Sequence, residues 1–306
     1  MQPEHIPERT QIVDKAKGAF VGLAVGDALG ATCEFMTPQE IKQQYGVHKQ
    51  IIGKGWLYLK AGQVTDDTEM SMCIGRAIRN SNGWNLGAIA EAFADWMRGR
   101  PVDVGSTCAR GIRNYILNQS LEVAPSRWSA GNGALMRMLP VALYTLGSEE
   151  LLAQYVVEQA HLTHNNPLSD VACIFFGRLL HYAMMGASLS QLFIYTDDFV
   201  GNYPDFRYSP YPGKSSAFVV ETVQTVFHFL FSTTTFEDAL IGTVNQGGDA
   251  DTTGALIGML AGAVYGEDAI PKRWLKKLDS RVYSEVGELS EYLVDQSPAL
   301  AINSGD

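Results

Sequence analysis

The chain has 306 residues, of which 46% are hydrophobic and 18% charged, and 33 acidic against 23 basic side chains give a formal net charge of −10. A chain of this length and composition can bury a large apolar core and is not a disordered protein. The negative charge argues against duplex nucleic-acid binding and against charge-driven docking on anionic membranes, because both need a basic surface. Any anionic ligand must therefore be held by local groups.

The cysteines and the apolar segments indicate a soluble protein of a reducing compartment. The four cysteines form no C-x-x-C pair and lie far apart, which is typical of free thiols rather than of a disulfide framework or a zinc site. The N-terminal residues include no apolar stretch that resembles a signal peptide, and no apolar segment is suited to span a bilayer. We expect a cytoplasmic protein without a membrane span.

Hydrophobic periodicity predicts helices along most of the chain. Between residues 66 and 83, apolar side chains recur at helical spacing before an Asn-Gly stop. Similar patterns occupy about 85–98, 105–118, 133–146, 149–161, 168–185, 216–231, 236–242 and 273–294. The best strand candidates, 51–52 and 56–58, predict only a short extended connection. We predict an all-α fold with one domain at 11–298, between flexible ends at 1–10 and 299–306.

Glycine recurs at every fourth position in two of the predicted helices. One set runs from Gly18 to Gly30 in KGAFVGLAVGDALGA, and the other from Gly254 to Gly266 in TGALIGMLAGAVYG. Each glycine in a helix costs about 1 kcal/mol relative to alanine, and close backbone packing would compensate for that cost. We predict that both are central core helices that cross each other. The alternative is two unrelated helices rich in small residues.

Acidic residues cluster in three apolar or glycine-rich segments. The clusters are Asp27 and Glu34 in GDALGATCEF, Thr65, Asp66 and Asp67 in VTDDTEM, and Asp249, Asp251 and Thr252 in NQGGDADTTG. Helix capping would explain one oxygen at each of the last two sites, but both offer several. Oxygen ligands without His or Cys suit hard divalent cations such as magnesium, manganese or calcium. The sequence therefore favours a dinuclear metal site, with capping as the alternative.

Five segments, in chain order, resemble the signature motifs of the ADP-ribosylglycohydrolase family. They are GAFVGLAVGDALGATCEF, VTDDTEMSM, SAGNGALMRMLPVAL, THNNP and NQGGDADTTGALIGMLAGAVYG, which span residues 18–266. The resemblance implies a single-domain, all-α orthogonal bundle around two Mg²⁺ or Mn²⁺ ions. It also implies hydrolysis of the N-glycosidic bond that joins ADP-ribose to an arginine side chain.

The segment VDVGSTCARGIRNY and the compact length are most similar to the bacterial branch of the family that activates dinitrogenase reductase. This narrower resemblance implies ADP-ribosylated nitrogenase iron protein as substrate and a PII-type signalling protein as regulator. We expect the enzyme to be a monomer.

The resemblance also implies roles for individual residues. The implied metal ligands are Thr65, Asp66, Asp67, Asp249, Asp251 and Thr252. Glu34 would contact the water or the substrate ribose, and either Glu34 or Asp66 would act as base. Asp103 in RPVDVGST is the candidate for orienting or protonating the leaving guanidinium, because a carboxylate matches its planar fork; Asp95 is the competing choice. Asp27 is expected to be structural.

Substrate contacts are expected from three further segments. In SAGNG, Ser129 and the backbone amides of Gly131, Asn132 and Gly133 would hold the pyrophosphate, the glycines through positive φ at a loop that leads into a helix. An ordinary Asn-Gly turn is the alternative. His164 in THNNP is expected to bind ADP-ribose.

An aromatic loop is the third of these segments. Phe218 stands where the family pattern has Tyr and is expected to retain ring stacking. Tyr208 and Tyr211, in the same loop, would either stack on adenine or only pack the loop.

Other functions remain open at this point. An all-α, metal-dependent nucleotide pyrophosphohydrolase would also use clustered carboxylates, although usually in Glu-rich helical repeats that this chain lacks. A non-catalytic relative would be expected to have lost metal ligands, and none is missing here. A glycohydrolase of ADP-ribosyl-serine or poly-ADP-ribose would share the metal centre and differ around Asp103.

Overall fold

The structure, a computed structural model, describes residues 7–301, and its regular structure in that range is helical. The α-helices are α1 (Arg9–Gly30), α2 (Pro38–Tyr45), α3 (Asp66–Asn80), α4 (Leu86–Arg98), α5 (Ser106–Asn118), α6 (Leu139–Tyr144), α7 (Glu149–His161), α8 (Pro167–Met184), α9 (Leu189–Asn202), α10 (Val219–Ser232), α11 (Phe236–Val244), α12 (Ala250–Tyr265), α13 (Lys272–Leu275), α14 (Ser280–Asp295) and α15 (Pro298–Ala301). Within 7–301, extended pairing is limited to isolated bridges, one joining Lys54 to Leu59 and one joining Gly131 to Phe218. The predicted all-α fold is confirmed.

Several helix boundaries differ from the predicted ones for local reasons. The pattern at 133–146 becomes a series of turns followed by the short α6, which begins beside Pro140, a residue that favours a first helical turn. The pattern at 273–294 divides into α13 and α14, because Asp279 caps α14 by accepting from the amides of Arg281 and Val282. The helices α2 and α9 were missed, although each starts with a capping box, Thr37 with Glu40 in α2 and Ser188 with Gln191 in α9.

The two glycine-rich helices pack directly against each other. A Cβ added at Gly18, Gly22 or Gly26 would lie less than 3.0 Å from the carbonyl oxygen of Gly262, Gly258 or Gly254, respectively. The pairing runs in opposite directions along the two helices, so α1 and α12 are antiparallel, and the backbones approach where only glycine fits. The predicted crossing of two core helices is confirmed. Gly266 follows the end of α12 with φ +81°, outside the helical stripe.

The predicted flexible ends lie mostly outside the described residues, namely 1–6 and 302–306. Arg9 and Thr10 already belong to α1, and residues 299–301 belong to α15. The guanidinium of Arg9 forms ion pairs with Glu291 and Asp295 of α14, which accounts for order at the start of α1. Among the described residues, no helix combines the length and the apolar character needed to cross a membrane.

Candidate active site

Four helix ends meet at one place in the fold. Because α1 and α12 are antiparallel, the C-terminal end of α1 lies beside the N-terminal end of α12. The N-terminal ends of α3 and α5 are joined there through the amide of Gly105, which donates to Asp66 Oδ2 at 3.1 Å. Three helix N-termini therefore face the same space, and their dipoles favour negative charge there.

Asp27 links α1 to α3. Its carboxylate accepts hydrogen bonds from the backbone amide of Thr65 at 3.0 Å and from the hydroxyl of Thr68 at 2.5 Å. Burial raises the pKa of Asp27 to about 6, while these hydrogen bonds oppose the rise. Asp27 thus caps α3 from a neighbouring helix, which is the structural role expected for it.

The start of α12 is fixed by a tight glycine turn. Gly247 and Gly248 have φ of +65° and +63°, which glycine adopts without strain. The amide of Gly248 donates to Met36 O, and the carbonyl of Gly248 accepts from the amide of Phe35. These bonds hold the segment after α1, which includes Glu34, against the start of α12.

The side chains at these helix starts are not used as caps. Thr65 and Asp249 occupy the N-cap positions of α3 and α12, but neither side chain makes a capping hydrogen bond. One carboxylate oxygen, Asp67 Oδ1, is buried without a hydrogen-bond partner among residues 7–301. A buried acceptor without a partner is costly unless a ligand satisfies it. The donor set and this free oxygen therefore fit a divalent cation better than capping.

These groups surround a cavity of about 320 Å³. Ten of the predicted site residues line it: Glu34, Asp66, Asp103, Gly131, Asn132, Gly133, His164, Asp249, Asp251 and Thr252. Carboxylate oxygens of Glu34, Asp103 and Asp251 all lie within 4.8 Å of one another, close enough to share an ion. The structure thus brings Asp103, predicted as the guanidinium contact, into the acidic cluster.

Two of the predicted ligands, Thr65 and Asp67, are not part of the cavity lining. The hydroxyl of Thr252 donates to Asp67 Oδ2 at 3.2 Å, and Thr65 bonds to Asp27. Asn132 donates to Asp249 Oδ2 at 2.5 Å and to the hydroxyl of Thr222 at 3.0 Å. The candidate ligands are therefore held in place by hydrogen bonds from neighbouring side chains.

Burial raises the pKa of every carboxyl group in the cluster. Desolvation, reinforced by neighbouring carboxylates, raises the pKa of Asp66 to about 7 and that of Glu34 to about 8. The same causes raise the pKa of Asp67 and of Asp251 well above the ordinary value. So many acidic groups in a buried site would remain partly protonated, and a bound cation would favour their ionised forms.

The Gly-rich segment does not have the predicted backbone geometry. Neither Gly131 nor Gly133 adopts positive φ, and the amide of Asn132 donates to Ala217 O at 3.0 Å, so it is not free for a phosphate. A Cβ at Gly133 would instead lie 2.8 Å from the His164 ring. Glycine is needed here for close packing of His164 rather than for a left-handed turn. Ser129 is buried and does not line the cavity.

The aromatic residues at the cavity are not the ones predicted. Tyr208 packs on Phe227, and Tyr211 stacks on His228 at 4.5 Å, so both pack the loop instead of lining this cavity. Tyr208 borders a separate and larger groove, of about 660 Å³, in which no carboxylate cluster is present among the described residues. Phe218 is 41% exposed and follows Ala217, which lines the cavity.

Phe35 and Trp56 were missed in the sequence. Their rings are 5.2 Å apart and they line the cavity, although both are largely exposed. The indole N–H of Trp56 donates to Glu34 Oε2 at 2.5 Å. The only available sequence signal was the position of Phe35, next to Glu34, since no spacing connects Trp56 with the cluster.

The chain belongs to the ADP-ribosylglycohydrolase family, whose pattern it matches over residues 8–301. It is 54% identical to an ADP-ribosyl-dinitrogen reductase glycohydrolase from Rhodospirillum rubrum, over 89% of this chain and 93% of that protein. It is 30% identical to the ADP-ribosylarginine hydrolase Tri1 of Serratia proteamaculans, over 96% of this chain and 82% of that protein. A solved ADP-ribosylglycohydrolase-related protein complex superposes with a TM-score of 0.83 at 29% identity, covering 94% and 99% of the two chains. The family assignment made from the motifs is confirmed.

Proposed function

We propose that this enzyme hydrolyses the N-glycosidic bond between ADP-ribose and an arginine side chain of a modified protein, and that it requires two divalent cations, Mg²⁺ or Mn²⁺. The observation that carries the proposal is the set of carboxylates and hydroxyls at the starts of α3 and α12, where the N-cap side chains make no capping hydrogen bond and Asp67 Oδ1 has no hydrogen-bond partner within residues 7–301. Two relatives, named as an ADP-ribosyl-dinitrogen reductase glycohydrolase and an ADP-ribosylarginine hydrolase, support the substrate class.

The implied ligands are Thr65, Asp66, Asp67, Asp249, Asp251 and Thr252. Bound ions would supply positive charge for the ribose hydroxyls and for an attacking water. Within the chain, Glu34 or Asp66 accepts the proton of that water. Asp103 lines the cavity, where its two oxygens can pair with the planar guanidinium and orient it for departure.

The rest of the cavity wall would position ADP-ribose. His164 lines the same cavity next to Gly131 and Gly133, where it can donate to an oxygen of the ligand. Phe35 and Trp56 offer flat apolar faces at the cavity. A stacking role for Phe218, and roles for Ser129 and the amides of Gly131 and Gly133, stay predictions.

The physiological substrate is proposed to be ADP-ribosylated dinitrogenase reductase, the nitrogenase iron protein. This follows from the 54% identity to the Rhodospirillum rubrum protein over nearly its full length. Control by a PII-type protein, a monomeric state and a cytoplasmic location stay predictions. The four free, buried cysteines are consistent with a reducing compartment.

The test compares three substrates by mass spectrometry of the products: an arginine-modified protein, a serine-modified protein and modified dinitrogenase reductase. We expect intact ADP-ribose and unmodified arginine, only with Mg²⁺ or Mn²⁺ present, and the highest kcat/KM on dinitrogenase reductase. An Asp251→Asn variant is the matched control and should be inactive. Release of AMP would instead indicate a pyrophosphohydrolase, and preference for serine would indicate the O-linked class.

A further inference from the structure

A fully buried arginine lies behind the cavity and close to His164. Arg137 is 0% exposed and has no carboxylate partner among residues 7–301. Its guanidinium donates to Gln159 Oε1 at 2.8 Å, to Gln159 O at 2.9 Å and to Thr163 Oγ1 at 2.8 Å. Burying a cation in this way is costly, so each hydrogen bond that satisfies the guanidinium is important. One of these bonds is to Thr163, the residue next to His164.

The Thr163 hydroxyl connects this arginine to His164. Its Oγ1 accepts from Arg137 and lies 2.7 Å from His164 Nδ1. Arginine can only donate, so the single hydroxyl proton of Thr163 is available for another acceptor. If His164 Nδ1 carried a proton, that hydroxyl proton would have no acceptor among the described residues, a situation that buried polar groups avoid. Thr163 therefore donates to Nδ1, and the imidazole proton sits on Nε2.

The other ring nitrogen faces the cavity. His164 lines the cavity, and a Cβ at Gly131 or Gly133 would lie 3.2 or 3.1 Å from Nε2. Nε2 makes no hydrogen bond within the described part of the chain, so its proton is available to a ligand. Burial, with help from the nearby charges of Arg137 and Arg110, lowers the pKa of His164 to about 3. The ring is therefore neutral at physiological pH, with one donor and one acceptor.

We propose that Arg137 and Thr163 are positioning residues that fix His164 as the Nε2–H tautomer, so that it donates a hydrogen bond to an oxygen of the ADP-ribosyl group. The identity of that ligand rests on the proposed function. The tautomer does not, because it is set within the protein before any ligand binds.

The first experiment measures the tautomer directly in the unmodified protein. Long-range ¹H–¹⁵N spectra of ¹⁵N-histidine-labelled protein with Mg²⁺ distinguish protonated from unprotonated ring nitrogens. A His164→Gln variant identifies the His164 signals among the 6 histidines. We expect an unprotonated Nδ1 and a protonated Nε2, unchanged between pH 5 and pH 8. A protonated Nδ1, or a ring that titrates in this range, would overturn the proposal.

The second experiment removes the hydroxyl that transmits the orientation. Thr163→Val replaces the hydroxyl by a methyl group and keeps the size of the side chain. Thr163→Ser retains a hydroxyl and is the matched control. We expect mixed His164 tautomers in Thr163→Val, and binding of ADP-ribose weakened by the inverse of the remaining Nε2–H fraction, about twofold for equal populations, with recovery of both in Thr163→Ser. An unchanged tautomer in Thr163→Val would refute the positioning of His164 by Thr163. If Thr163→Val changes the tautomer but the unmodified protein binds no ADP-ribose, only the proposed function is refuted.

Discussion

The close approach of α1 and α12 makes a strong prediction for Gly22→Ala. The new Cβ would overlap the carbonyl oxygen of Gly258 and lie 3.2 Å from the Phe236 ring. A backbone carbonyl cannot rotate aside as a side chain can, so the helices would have to separate. Overpacking costs about 1–3 kcal/mol, and the upper end applies here. The better helix propensity of alanine returns about 1 kcal/mol, which leaves a net loss of about 2 kcal/mol.

Gly287→Ala provides the matched control for this substitution. Gly287 also lies in a helix, α14, but a Cβ there meets nothing within 4 Å. Its propensity gain of up to about 1 kcal/mol is therefore not offset. Urea unfolding and thermal melting of both variants should differ by about 3 kcal/mol in the free energy of unfolding. If Gly22→Ala is as stable as Gly287→Ala, the packing argument for the glycine stripe is wrong.

Three further predictions concern the cluster. Without metal, the free energy of unfolding should fall as pH rises from about 4 to about 8. In the folded protein the pKa values of Asp66 and Glu34 are raised to about 7 and about 8, so their stabilising contribution is complete below the unfolded pKa and is lost as they ionise. Saturating Mg²⁺ should flatten this slope in pH-dependent urea titrations, and a flat metal-free curve would contradict the burial argument. Trp56→Phe removes the indole donor that lowers the pKa of Glu34, so the acidic limb of the pH profile of kcat/KM should move to higher pH. Trp128→Phe, at another exposed tryptophan, is the control and should leave the profile in place. Equal profiles for the two variants would exclude control of the Glu34 ionisation by Trp56. Asp103→Asn should lower kcat/KM on an arginine-modified protein by about a hundredfold while Mg²⁺ still raises the melting temperature; loss of that thermal shift would make Asp103 a metal ligand instead.

The helical fold and the place of the acidic residues could be predicted because both rest on local patterns. The glycine period predicts which helix faces meet, and that contact brings the end of α1 to the start of α12. The Thr-Asp-Asp and Asp-x-Asp-Thr segments stand out because one cap needs only one oxygen. Helix boundaries near Pro140 and Asp279 depended on turns and caps that periodicity does not record.

The remaining features depend on contacts between distant parts of the chain. Trp56 reaches Glu34 across 22 positions, and nothing in the intervening sequence indicates this hydrogen bond. The positive φ predicted for Gly131 and Gly133 was wrong. Glycine is instead required there by the ring of His164, a contact between separate segments that no local pattern indicates. Arg137 lies in the predicted helix at 133–146, and helical periodicity does not indicate that tertiary packing buries this residue beside Thr163.

The carboxylates at the starts of α3 and α12 are proposed to hold two divalent cations on which hydrolysis depends. Equilibrium titration of the metal-free protein with Mn²⁺, with the bound ion and the release of ADP-ribose from an arginine-modified protein measured on the same samples, tests it directly. We expect two ions per chain, activity that rises with their binding, and loss of both in Asp67→Asn. Full activity at a stoichiometry below one ion per chain would contradict a dependence of hydrolysis on two bound ions.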